Sequence, residues 1–322
     1  MSYSQADIKK WSVIGSRATF GLAALELAKN NNNLYVLTCD VSTSAGLDRF
    51  RKLLPEQFIE VGIAEQNMMG IAAGLASENH KVITTTFSPF QTARCCEQIK
   101  MNLGYMKNKV VMVGLASGLV LGTLGFSHCS VEDVGILRSI PNITIISPSD
   151  GMEIYKALEA ALEYKTSCYI RLTGGSNSPI INNADYDFQI GKAVVLKEGS
   201  QVTIFSSGVI TNECLIAAKK LEEKKISCRV VNMHTIKPID EEAIVNSFKS
   251  DLIVSVEEHN IIGGLGSAIA EVKSKYTNTP KQIFLGIEDK YSNGGEYKHL
   301  LKKNRLLNED IVQTVENYIK NV

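Results

Sequence analysis

The sequence predicts a two-domain α/β protein, because apolar runs of strand length alternate with segments of helical periodicity along most of its 322 residues. A polar stretch without periodicity, residues 177–190, interrupts this alternation and is predicted to be a linker. We therefore predict a parallel-sheet domain at residues 1–176 and a smaller α/β domain at residues 191–322.

The composition is that of an ordinary globular protein, with 44% hydrophobic and 21% charged residues. Lys plus Arg equals Asp plus Glu at 34 each, so net charge favours neither nucleic acid nor a membrane as partner. No long apolar run and no signal-peptide pattern occurs, and we expect a cytoplasmic protein. The seven cysteines form no C-x-x-C pair, which argues against disulfides and a zinc site.

The first domain is predicted to contain strands and helices in regular alternation. The strands are predicted at 34–39, 58–61, 81–86, 109–116, 143–147 and 168–172, and the helices at 16–29, 65–76, 91–103, 131–138 and 152–164. Such alternation places the carboxyl ends of parallel strands at one edge of a sheet, where open α/β proteins bind their ligands.

The second domain shows the same alternation at lower density. Its strands are predicted near 201–206, 227–232, 252–256 and 282–286, and its helices near 212–224, 240–249, 266–275 and 308–320. This pattern again predicts a sheet covered by helices.

Glu65 is the acidic residue at the start of an otherwise apolar helix of small residues, 65–76, which we expect to be buried on all sides. The helix dipole favours a carboxylate in the first turn, whereas removal from water disfavours it. Considered alone, the stretch fits either a solvent-facing helix charge or a functional carboxylate.

Four further positions follow predicted strands of the first domain. Asp40 comes directly after 34–39, and Phe87 and Phe90 follow 81–86, where aromatic rings either stack on a flat ligand or fill the core. His128 ends a long Gly-rich loop, and long ordered loops are usually functional. A lone histidine is nevertheless more often structural than catalytic.

The order of several short motifs resembles the second half of a transketolase, which is a pyrimidine-binding domain followed by a transketolase C-terminal domain. The resemblance covers nearly the whole chain, and its motifs are specific in combination although each is weak alone. They are GIAEQ at 62–66, TFSPF at 86–90, GFSHCSVED at 125–133, RSIPN at 138–142, SPSD at 147–150 and YIR at 169–171.

The resemblance implies thiamine diphosphate as cofactor and assigns four residues to it. Glu65 matches the glutamate that hydrogen-bonds the aminopyrimidine ring and so assists removal of the thiazolium C2 proton. Phe90 matches the aromatic residue that stacks on the pyrimidine, and Phe87 lies near it. Asp40 matches an aspartate close to the cofactor.

The resemblance also implies contacts with the substrate. Arg17, Ser44 and Arg171 match positions that bind a sugar phosphate in transketolases, and guanidinium forks with a hydroxyl suit a phosphate dianion. His128 matches the substrate-facing histidine, which would stabilise developing charge on the sugar. We therefore expect a two-carbon ketol transferase acting on phosphorylated sugars.

Two positions depart from the family pattern. The family usually has a histidine twelve residues before His128 and an aspartate four residues before it, where this chain has Ala116 and Leu124. Because these family residues contact substrate hydroxyls, their absence predicts a deoxygenated or otherwise modified sugar, or another donor.

The diphosphate end of the cofactor has no predicted site on this chain. Transketolases hold it through Mg²⁺ with a Gly-Asp-Gly motif and a later Asn on an N-terminal domain, and no such motif occurs here. The resemblance thus implies a separate N-terminal subunit that carries the metal ligands, in an α2β2 heterotetramer with cofactor between unlike chains.

Two alternatives share the same motifs. One is a subunit of an enzyme that decarboxylates a 2-oxoacid, similar to an oxoacid dehydrogenase β subunit or to deoxyxylulose-phosphate synthase. The other is a non-catalytic binding module of the same fold.

Overall fold

The computed structural model describes residues 3–291 and 293–320, so the predicted domain limits at residues 1 and 322 lie outside the described residues. The strands are β1 (Leu34–Thr38), β2 (Phe58–Glu60), β3 (Lys81–Phe87), β4 (Val111–Leu115), β5 (Ile143–Ile146), β6 (Ser167–Arg171), β7 (Val194–Lys197), β8 (Val202–Ser206), β9 (Cys228–Asn232), β10 (Thr235–Lys237), β11 (Leu252–Asn260) and β12 (Lys281–Ile287).

The helices cover both sheets. They are α1 (Gln5–Lys29), α2 (Asp48–Leu53), α3 (Glu65–Ser77), α4 (Ser88–Gln91), α5 (Cys96–Gln98), α6 (Asp133–Arg138), α7 (Gly151–Glu163), α8 (Thr211–Glu223), α9 (Glu241–Asn246), α10 (Leu265–Lys273), α11 (Tyr297–Lys303) and α12 (Asn308–Lys320). A π-helical segment, Ile99–Tyr105, continues α5. No helix among the described residues is long and apolar enough to span a bilayer.

The strands form two sheets, as the sequence predicts. The first has the order β10-β5-β6-β4-β3-β1-β2, and the second has the order β12-β11-β8-β9-β7. Neighbouring strands are parallel except at β10 with β5 and at β7 with β9. The predicted α/β fold with a parallel-sheet first domain is therefore confirmed.

β10 connects the two halves of the chain. Although it follows β9 of the second sheet, it pairs antiparallel with β5, with Thr235 opposite Ile146. The Ser147 N–H extends this contact by donating to the His234 carbonyl at 2.7 Å. The two predicted domains thus share one sheet, which the sequence did not predict.

Gly15 interrupts α1 at the point where the sequence predicts the helix to begin. Its φ is 79°, and a Cβ there would lie 2.3 Å from the Gly175 carbonyl oxygen, so only glycine fits. The interruption lets the helix start pack closely on the segment after β6. Arg17, two residues later, is thereby placed beside that segment.

The helix α3 is not buried on all sides, and this expectation was wrong. Met68 and Ala72 are fully buried, whereas Gln66, Gly70 and Gly74 are exposed. A Cβ added at either glycine would meet nothing within 4 Å. The small residues therefore form an open face of the chain, while the opposite face packs on the first sheet.

Candidate active site

The carboxylate of Glu65 lies at the first residue of α3 and is 4% exposed. It accepts a hydrogen bond from Arg94 Nη1 at 2.8 Å. The same guanidinium lies over the Phe90 ring, with Cζ 4.0 Å from the ring centroid. Glu65 is therefore a buried, paired carboxylate and not a solvent-facing helix charge.

An aromatic wall adjoins this carboxylate. His128 contacts Phe90 edge to face at 5.3 Å between ring centroids, and Phe87 at 6.2 Å. Phe87 and Phe90 are themselves 6.4 Å apart in an edge-to-face arrangement. The structure thus brings together Glu65, Phe87, Phe90 and His128, which the sequence had placed on separate elements.

Arg94 is the residue of this cluster that the sequence analysis missed. The helix predicted at 91–103 is broken, and Arg94 lies in the turn between α4 and α5. Its carbonyl accepts from Gln66 Nε2 at 3.1 Å, which fixes the backbone beside the start of α3. An arginine in a predicted helix gives no signal of such a role, because 29 residues separate it from Glu65.

Asp40 follows β1 at the same edge of the sheet. Its φ is 56°, and its backbone N–H donates to Glu60 Oε1 at 2.7 Å, an oxygen that also accepts from Gly62 N–H at 3.0 Å. The side chain of Asp40 is exposed. A role in binding the cofactor remains a prediction for this residue.

Arg17 and Ser44 line one polar cavity of about 300 Å³, as expected if they bind a common group. Thr43, Gly175 and Ser176 complete its wall. Among residues 3–291 and 293–320, no acidic partner of Arg17 is found. The cavity therefore offers an unpaired guanidinium and hydroxyl groups, which suit a phosphate.

Arg171 does not line this cavity, and its prediction as a phosphate contact was wrong. Its side chain is 2% exposed, and Nε donates to both oxygens of Asp133, at 3.1 and 2.8 Å. Nη2 donates to the carbonyls of Ser130 and Glu258, at 3.1 and 2.8 Å. With these donors already bonded inside the protein, Arg171 joins the two domains instead of binding substrate.

Asp133 is the fully buried partner of Arg171. It also accepts from Tyr169 Oη at 2.7 Å and from Ser88 Oγ at 3.1 Å. Burial opposes its ionisation, but the charges of Arg171 and His259 hold the pKa of the carboxyl below its ordinary value. The junction between the domains thus contains an ionised, fully hydrogen-bonded pair.

The C-terminal domain supports the loop that carries His128. Glu258 Oε1 accepts from Leu119 N–H at 2.6 Å, and Glu258 Oε2 accepts from Tyr297 Oη at 2.6 Å. Gly118 is required at this contact, since its φ is 72° and a Cβ would lie 2.2 Å from Glu258. The shape of the loop therefore depends on residues of the second domain.

The two positions that depart from the family pattern differ in environment. Ala116 is fully buried with φ of 51°, directly after β4. Leu124 lies in a short 3₁₀ turn of the loop and is 57% exposed. Leu124 is therefore free to contact a molecule bound at this edge. Within the described part of the chain, no group of three or more His, Cys, Asp or Glu residues could hold a metal ion.

The chain matches two family profiles along most of its length. Residues 12–177 match the transketolase pyrimidine binding domain, and residues 191–302 match the transketolase C-terminal domain. The fold and the site thus define a pyrimidine-binding chain of the thiamine-diphosphate enzymes. The chain belongs to the transketolase family, whose members depend on thiamine diphosphate.

Full-length relatives are themselves partial transketolases. The chain is 38% identical to the putative transketolase C-terminal section of Methanocaldococcus jannaschii, over 95% of this chain and 96% of that protein. It is 34% identical to a subunit of the apulose-4-phosphate transketolase of Phocaeicola vulgatus, over 96% and 99%. A solved structure described as a split gene transketolase, inactive beta4 tetramer, superimposes with a TM-score of 0.87 at 37% identity, over 94% and 98% of the two chains.

Proposed function

We propose that this chain is the pyrimidine-binding subunit of a two-chain transketolase that transfers a two-carbon ketol unit between sugars, at least one of them phosphorylated. The observation that carries this proposal is the pairing of two sites at one sheet edge. A buried carboxylate with aromatic rings lies there, and the Arg17–Ser44 cavity opens at the loops after β1 and β6.

The residues of the first site fit the pyrimidine end of thiamine diphosphate. A flat aminopyrimidine needs an aromatic surface and a hydrogen-bonding carboxyl, and Phe90 and Glu65 provide them within one cluster. The cofactor supplies a carbanion-stabilising thiazolium when bound. Glu65 would hold a proton at the pyrimidine ring nitrogen, and His128 would donate a hydrogen bond to a sugar oxygen.

A second subunit is part of the proposal. No cluster of metal ligands occurs among the described residues, and the Gly-Asp-Gly motif is lacking from the sequence. We therefore assign Mg²⁺ and the diphosphate to an N-terminal subunit in an α2β2 heterotetramer. This division of labour is supported by the relative named as one subunit of a transketolase and by the inactive beta4 tetramer of the split gene transketolase.

The exposed Leu124 bears on the substrate. It offers an apolar surface where the family usually has a carboxylate, so a substrate hydroxyl there would lose a hydrogen-bond partner. We propose a phosphorylated sugar that is deoxygenated or otherwise modified at the atom facing Leu124. The relative named for apulose-4-phosphate supports substrates outside the common pentose phosphates.

Reconstitution tests the proposed reaction. The chain is mixed with its N-terminal subunit, Mg²⁺ and thiamine diphosphate, and a panel of ketose phosphates with aldose acceptors is compared with pyruvate. We expect transfer of two carbons between sugars, measured by mass spectrometry of the products. Release of CO₂ from pyruvate without transfer between sugars would replace the proposal with a 2-oxoacid enzyme, and no cofactor-dependent turnover would favour a binding module.

Replacement of Arg17 tests the phosphate site. In the reconstituted enzyme, Arg17→Ala should raise KM for the phosphorylated sugar roughly 10- to 100-fold with little change in kcat, because a charged hydrogen bond to substrate is lost. Ser44→Ala should act in the same direction but less. Arg49→Ala, an exposed arginine, is the matched control. An equal effect of Arg17→Ala on an unphosphorylated analogue would contradict the assignment.

A further inference from the structure

The Arg94 guanidinium makes two contacts that are unusual in combination. It is planar, it lies 4.0 Å from the centroid of the Phe90 ring, and it donates to Glu65 Oε1 at 2.8 Å. Stacking on Phe90 and donation to Glu65 are also the two contacts proposed above for the aminopyrimidine ring. A guanidinium and an aminopyrimidine are both flat groups with N–H donors along one edge.

We propose that Arg94 is an internal occupant of the pyrimidine subsite: its guanidinium fills the place of the cofactor ring in the free chain and has to leave when the ring binds. This inference rests on the proposed function. It adds a residue that competes with the cofactor to the residues that bind it.

The pairing explains how the free chain tolerates a buried carboxylate. Glu65 is 4% exposed, and a buried carboxylate without a partner is strongly destabilising. Arg94 is the cation paired with Glu65 among residues 3–291 and 293–320. Before the cofactor binds, this ion pair therefore keeps the site closed and electrically balanced.

Arg94 is also built to move. Its side chain is 43% exposed, and it lies in the turn between α4 and α5 rather than inside a helix. Its backbone is fixed separately by the hydrogen bond from Gln66 to its carbonyl. The long side chain can thus rotate away from Glu65 into solvent while the backbone of the site stays in place.

Competition of this kind has a measurable consequence for affinity. If the guanidinium occupies the subsite most of the time, the cofactor binds only the open fraction, and its apparent dissociation constant is raised by the inverse of that fraction. Removing the side chain should therefore tighten binding. A residue that held the cofactor would have the opposite effect.

The first test is calorimetric titration of thiamine diphosphate into the heterotetramer at saturating Mg²⁺. Arg94→Ala is expected to bind the cofactor about fivefold more tightly than the wild type, a factor in keeping with a partly exposed ion pair and a cation–π contact. Arg94→Lys retains the charge without the planar fork and should give a smaller gain, and Arg49→Ala should give none. Unchanged or weaker binding by Arg94→Ala would overturn the proposal.

The second test uses the isolated full chain and needs no cofactor. Arg94→Ala should lower its Tm by several degrees, and the same substitution in a Glu65→Gln background should lower it much less, since no charge is then left unpaired. An equal loss in both backgrounds would show that the guanidinium does not act on Glu65. This arm separates the two proposals, because failure of the wild-type complex to bind cofactor would refute the proposed function while leaving the Glu65 dependence measurable.

Discussion

Glu65→Ala is expected to abolish most turnover of the reconstituted enzyme while leaving the heterotetramer assembled. The carboxyl is proposed to exchange a proton with the pyrimidine ring, and loss of such a group typically costs roughly 10²- to 10⁴-fold in rate. Glu65→Gln, which keeps the shape of the side chain but cannot ionise, should lose activity to a similar degree. The measurement is kcat at saturating cofactor, with assembly checked by light scattering.

Glu78→Gln is the matched control for these variants, since Glu78 is an exposed acid at the other end of α3. It should retain the wild-type kcat. Full activity of Glu65→Ala would refute the role of this residue, and loss of the heterotetramer would show that Glu65 acts in assembly instead.

Asp133→Asn is expected to destabilise the chain by about 3–5 kcal/mol, because it leaves the buried Arg171 guanidinium without a counter-charge. The pair joins the first domain to the C-terminal domain through the carbonyl of Glu258, so both domains should be affected. The measurement is the free energy of unfolding from urea titration.

Two comparisons make this prediction specific. Asp48→Asn breaks an exposed pair with Arg51 and should change stability by less than about 1 kcal/mol. The double variant Asp133→Leu with Arg171→Met should cost less than the sum of the two single replacements, since neither charge remains unpaired. A small effect of Asp133→Asn would mean that the buried pair contributes little to the junction.

Local pattern was sufficient to predict the strands that form the centre of both sheets. Buried parallel strands such as β1, β3 and β4 are short apolar runs, and their signal lies within the run itself. β7 and β10 were missed because they are short and join their sheets through antiparallel pairs with distant strands. The helix predicted at 91–103 was interrupted by a turn that no glycine or proline marks.

The site was predictable only where position along a strand decides it. Glu65, Phe87, Phe90 and His128 all follow strand ends, and the sheet brings them together. Arg171 also ends a strand, but its partner Asp133 is 38 residues away in sequence, so a buried ion pair could not be told from a phosphate contact. Arg94 was missed for the same reason, because only the folded chain reveals its contact with Glu65.

Binding of thiamine diphosphate tests most directly the claim that this chain supplies one half of a shared site. The cofactor is titrated calorimetrically, with and without Mg²⁺, into this chain alone, into the N-terminal subunit alone, and into their equimolar mixture. We expect tight, Mg²⁺-dependent binding in the mixture, with one cofactor for each pair of unlike chains, and no tight binding by this chain alone. Tight Mg²⁺-dependent binding by this chain alone would contradict the claim.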